Sequence, residues 1–166
     1  MEERNKMQSA ISIKPHHFVD IITSFGAGNR IFKPHPYGHA VHVVSDKIDN
    51  NREVYLKIEL GIDDICRPCV HNVAGFCDDT IDTSYRPLAP SSKNEWNLLI
   101  DQRWCKRLGI NQGDELKAHE LCELIRNKMG DITDIYQEVP ADMTAERSTN
   151  LVRGLDYYLR QQDDFL

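Results

Sequence analysis

The stretch from Gly61 to Pro90 sets the main constraint on how this chain can fold. Its thirty residues show little hydrophobic periodicity, although clearly patterned segments flank it on both sides. A loop that long inside a compact domain is uncommon, and is usually functional or held by a ligand. It contains three of the five cysteines, as Cys66-Arg67-Pro68-Cys69 followed by Cys77. This C-x2-C-x7-C spacing lets thiolates face one tetrahedral Zn²⁺ or one side of an iron–sulfur cluster. A bound metal would supply the order that apolar periodicity does not.

The plain alternative is three ordinary thiols, which such a cluster of a scarce residue makes unattractive. A redox dithiol is a further alternative, but Pro68 and the nearby third Cys fit it poorly. The five cysteines are an odd number, which points away from a disulfide framework. The N-terminus has no apolar signal core, and no apolar run approaches the roughly 20 residues of a membrane span. These features suggest a cytoplasmic protein. Lys plus Arg number 20 and Asp plus Glu 26, a net charge of −6. That balance argues against nucleic acid and against an anionic membrane surface as partners.

The 166 residues, 40% hydrophobic, suffice for one core without disulfides. Residues 1–10 are expected to form a disordered polar tail, and 11–166 a single metal-binding domain. Pro15 and Gly26 bracket a helix with Phe18, Ile21, Ile22 and Phe25 on one face. A second helix is expected over 39–48. Alternation from Val54 to Leu60 reads as a half-buried strand with weak candidate partners near 30–33 and 114–117. Its exposed edge offers a route to a homodimer. Ser92 and Glu95 fit a capping box that opens a helix carrying Trp96, Leu99, Ile100, Trp104 and Leu108 inward. Helices over 117–129, briefly over 132–139, and from about 144 to 161 complete the pattern. The fold class is mainly α (α+β): five or six helices around one core, a minor β element and a long metal-organised Cys loop.

Three cysteines leave one position of a four-coordinate site open. Cys122 is the first choice, although it also fits a small buried hydrophobe on its helix. Cys105, His71 and His17 are further candidates. A second constellation is histidine: His16 and His17 open one helix, and His35, His39 and His42 fall within eight residues. Imidazoles this dense can bind a metal or a small anionic ligand, or act as general acid and base. Their plain reading is capping and surface histidine. HExxH, Walker, GxGxxG and G-x-S-x-G patterns are absent from the sequence.

Taken together, Lys14-Pro15-His16-His17, His35-Pro36-Tyr37-Gly38-His39, and Asp63-Asp64-Ile65-Cys66-Arg67-Pro68-Cys69 with Gly75-Phe76-Cys77-Asp78-Asp79 resemble a family of small bacterial and archaeal proteins. Its members have no assigned function and are often described as iron–sulfur or metal-binding proteins. The resemblance covers roughly residues 11–130. It implies Cys66, Cys69 and Cys77 as ligands, and the two histidine motifs as part of the same site region. Some members place a Cys shortly after the His-His pair, where this chain has Asp20. Cys122 then remains as the fourth thiolate.

The expected function is that of an uncharacterised metal-binding protein. Its sharpest form is a [4Fe–4S] cluster on Cys66, Cys69, Cys77 and Cys122 with a redox or sensing role and a redox or protein partner. The alternatives are a structural zinc module, and a metal-associated enzyme using His16, His17, His35, His39 and His42. In the enzyme reading His17, His35, His39 and His42 are the catalytic candidates.

Overall fold

The computed structural model describes residues 9–163, and the tail expected over 1–10 lies outside them apart from Ser9 and Ala10. The described residues form five helices: α1 (Pro15–Gly26), α2 (Val41–Asn50), α3 (Lys93–Leu108), α4 (Ala118–Lys128) and α5 (Ala141–Asp163). They also form five short strands: β1 (Ile11–Ile13), β2 (Tyr55–Ile58), β3 (Asn72–Val73), β4 (Phe76–Cys77) and β5 (Glu115–Lys117). The mainly α (α+β) class is therefore correct. No helix among the described residues is long and apolar enough to cross a membrane.

Helix α1 starts at Pro15 because proline supplies a preset φ and lacks an N–H that the first turn could not use. Its buried Phe18, Val19, Ile21, Ile22 and Phe25 contribute about 10 kcal/mol of gross apolar burial. Their partner is α5, which buries Leu151, Leu155 and Tyr158. The two helices touch backbone to backbone. A Cβ on Gly154 would overlap the Ile22 carbonyl oxygen, and one on Gly26 would overlap that of Asn150. Glycine at both points is a requirement of the crossing. Sequence reading assigns Gly26 to a helix stop, but its demanding role is this close approach.

Strand β2 is the centre of a three-stranded sheet ordered β1-β2-β5. It pairs in parallel with β1 (Ile11↔Leu56, Ile13↔Ile58) and antiparallel with β5 (Leu56↔Leu116). The 114–117 partner expected from sequence is present as β5. The 30–33 partner is not, and Ile11–Ile13 takes its place. Three residues are too few to show period-2 alternation. Both edges of β2 are taken, so the suggested dimer route through an exposed β2 edge is closed.

Ser92 caps α3 by accepting the Glu95 N–H at 3.2 Å. The helix expected over 132–139 is instead a run of turns. Arg103 of α3 fixes it by donating to the Ile135 carbonyl at 2.9 Å and to both Glu138 oxygens at 2.6 and 2.9 Å. Trp104 Nε1 donates to Tyr136 Oη at 3.0 Å from the buried side. Tertiary bonds to α3 replace the helical ladder there.

The Gly154→Ala substitution tests the α1–α5 crossing. Overpacking of about 3 kcal/mol is expected, which lowers the Tm by roughly 6–12 °C for a chain of this size. A melting curve unchanged from wild type would contradict the close approach.

Candidate metal centre

The Cys loop is attached to the edge of the sheet before it reaches its cysteines. Ser12 N–H donates to Asp64 Oδ2 at 2.9 Å, and Asp64 N–H donates to the Ser12 carbonyl at 3.0 Å. This docking carries Asp63 under the first turn of α1. Asp63 is fully buried. Its Oδ2 accepts the Lys14 N–H at 2.8 Å and faces His17 Nδ1 at 2.7 Å, and its Oδ1 accepts the Cys66 N–H at 2.9 Å. Burial opposes ionisation of Asp63. The His17 ring and the two backbone amides outweigh it and hold the carboxyl well below the usual carboxylate range.

This arrangement fixes the imidazole of His17. With Nδ1 occupied by Asp63, Nε2 points at Cys66 Sγ, 4.0 Å away. Metal-bound histidines commonly give their other ring nitrogen to a carboxylate, which sets the tautomer and the ring orientation. One ligand atom each from His17, Asp63 and Cys66 lies within 4.8 Å of the others. These three residues form a group able to hold a metal ion.

Cys66 and Cys69 are joined by a tight turn in which Cys69 N–H donates to the Cys66 carbonyl at 3.0 Å. The chain then makes the β3–β4 hairpin, with Asn72 paired to Cys77. Ala74 and Gly75 both have positive φ, 53° and 86°, as a two-residue primed turn requires. The hairpin returns Cys77 to the side of the loop from which the chain departed. Cys66, Cys69 and Cys77 all line one cavity of about 280 Å³, together with His17, His39 and His71. Ile21, Phe32, Val41 and Ile65 form its apolar walls.

The segment 35–39 closes this cavity from above. Val70 N–H donates to the Tyr37 carbonyl at 2.8 Å, and Ala40 N–H to that of Ile65 at 2.9 Å. Gly38, at φ 79°, lets the segment turn there, and a Cβ would stand 3.3 Å from the Pro68 carbonyl oxygen. The histidine motif and the Cys loop are thus one structure. The loop also has more protein-based order than its sequence suggests, since Asp63, Tyr37 and the hairpin all hold it.

The histidines divide by role. His39 lines the cavity, and its Nδ1 is buried without a hydrogen-bond partner. Burial and the nearby His35 and His17 rings push its pKa down, which favours the neutral imidazole. His35 stacks on it at 4.3 Å between centroids. His71 faces Asp78 at 2.8 Å through Nδ1. His16 turns away from the cavity to the buried Asp101, 2.9 Å from its Nδ1. Burial disfavours the His16 cation, but Asp101 more than offsets this and raises its pKa. His16, His35 and His42 do not line the cavity.

Cys122 stands apart from the loop thiols. It is 0% exposed on α4, in the core beside Tyr158, and does not line the cavity of the loop thiols. Burial raises its thiol pKa well above the ordinary value. It behaves as the small hydrophobe that its place on the helix allows. Cys105 also stands apart, its thiol pushed up to about 11 by burial, with Asp101 and Asp114 adding to the shift. From outside the loop, His17 of α1 brings a ring nitrogen to within 4.0 Å of Cys66 Sγ. Asp20 of that helix lines the same cavity, but Arg147 holds its carboxylate at 2.6 Å.

Sequence reading missed Asp63 as the group that orients His17, and missed the buried Lys14. The signal for Asp63 was its position three residues before Cys66, where a carboxylate can accept that residue's N–H. Compared with protein families, with curated proteins and with solved structures, the chain finds no match.

The Asp63→Asn variant should bind metal about 10–100-fold more weakly, because the amide cannot hold His17 Nδ1 as the carboxylate does. A chelator competition against wild type measures this. Equal affinities would remove Asp63 from the account of the site.

Proposed function

We propose that the protein holds a [4Fe–4S] cluster on Cys66, Cys69, Cys77 and His17, and uses it for electron transfer or sensing with a redox partner. The observation that carries this reading is the convergence of the three loop thiols and the His17 imidazole on one cavity. At about 280 Å³ the cavity is roughly nine times the ~30 Å³ that a water molecule occupies in the liquid. A single ion would leave most of it empty. Cys69 and Cys77 lie outside the compact His17–Asp63–Cys66 group. That spread suits a polynuclear cluster, in which each ligand binds a different iron. Imidazole in place of thiolate has precedent in Rieske centres, where it raises the potential. The resemblance to a family often described as iron–sulfur proteins supports the same choice.

Zinc is the second reading, and the 4.0 Å separation of His17 Nε2 from Cys66 Sγ favours it. Tetrahedral Zn²⁺ with ordinary bond lengths would place these atoms about 3.6 Å apart. Cys₃His is a familiar structural zinc set. The space left beside His39 and His71 would then be open to a small ligand, and the histidine enzyme reading belongs with this case.

Anaerobic purification followed by an absorption spectrum and elemental analysis tests the proposal. A broad band near about 400 nm, with about four iron and four sulfide per chain, is the expected result. A colourless protein with about one zinc per chain would overturn the cluster in favour of the second reading. In either case Cys122→Ala should retain the full metal content, whereas Cys69→Ser should lose it.

A further inference from the structure

We propose that Lys14 is the charge partner of the metal centre, its ammonium donating a hydrogen bond to the Cys66 sulfur. This rests on the metal-binding reading of the same site. Lys14 is only 2% exposed, and ranks with Trp104 and Tyr158 among the largest fully buried side chains. Lysine is almost never buried to that extent unless it is paired. The nearby carboxylates are already committed. Asp63 serves Lys14 N–H, His17 and Cys66 N–H, Asp101 serves His16, and Asp20 serves Arg147. Among the described residues the polar atom that Lys14 Nζ reaches is Cys66 Sγ, at 3.9 Å.

A neutral thiol is a weak acceptor and brings no charge to offset a buried ammonium. A thiolate bound to a metal does both. Lys14 precedes Pro15, so its backbone is fixed by the start of α1, and its N–H is tied to Asp63. The ammonium is therefore held beside Cys66 by the same contacts that place His17. Its positive charge favours the anionic, ligand-bearing centre over the metal-free cavity. In a cluster it also favours the reduced state, which carries one more electron.

The test uses the full chain as wild type, Lys14→Met and Lys14→Arg. Each is loaded in parallel with Zn²⁺ and with ferrous iron plus sulfide, then titrated with chelator. Lys14→Met should lose its metal at about tenfold or more lower chelator, the range seen when outer-shell partners of metal ligands are removed. Metal-free Lys14→Met should melt at or above metal-free wild type, because an uncompensated buried charge has gone. Lys14→Arg should retain most of the affinity. Where a cluster forms, Lys14→Met should shift its potential to more negative values. Lys14→Gln gives the same readout if the methionine variant does not fold. Unchanged metal affinity in Lys14→Met, beside a wild type that binds metal, would overturn this inference alone. So would a fall in metal-free melting that matches the loss of metal, since that marks a merely structural role. A wild type that takes up neither probe would overturn the metal centre, and this inference with it.

Discussion

The buried carboxylate of Asp63 is the contact on which the rest of the site depends. One oxygen joins the entry of α1 to the loop, through Lys14 N–H and the His17 ring, and the other closes the turn that begins the cysteine motif. A buried charge of this kind is tolerated only when its acceptor capacity is filled. Removing it would strand two backbone N–H groups, at about 1–3 kcal/mol each. It would also release the imidazole that faces Cys66. The contacts that order the loop are therefore the same contacts that orient His17 toward Cys66.

The position of Asp63's partners is set by packing farther away. His17 can meet Cys66 only because α1 is fixed along its length, and α5 does this through the Gly26 and Gly154 approach. The other end of α1 is fixed by β1, whose Ile11 and Ile13 are buried against Leu56 and Ile58 of β2. The irregular loop is thus laid on a rigid corner made by a strand end and a helix start. Binding groups carried on loops are commonly positioned in this way by a regular scaffold. The segment 35–40 then closes the opposite side of the cavity through backbone bonds to Val70 and Ile65.

Much of the helical frame was legible in the sequence. Pro15 and Gly26 bound α1, Ser92 caps α3, and the inward faces of α3 and α5 follow the expected spacing. Local signals of this kind act over one or two turns and can be read directly. Contacts between distant segments were not legible. Strand β1 is too short to show a pattern, and the turns at 132–139 exist because Arg103 bonds to them from another helix. At the site, the cysteine spacing identified a loop whose three thiols do line one cavity. The spacing left the fourth position open, because a choice between Cys122 and His17 depends on which helix passes over the loop. No spacing rule contains that information.

The most direct measurement is X-ray absorption at the metal edge of the anaerobically purified protein, which counts the sulfur and nitrogen atoms around the metal. Three protein thiolates and one imidazole are predicted, with the imidazole signal lost in His17→Ala and unaltered in Cys122→Ala. A fourth protein thiolate in place of the imidazole, or an imidazole signal that survives in His17→Ala, would contradict the assignment of His17 as the ligand that completes the centre.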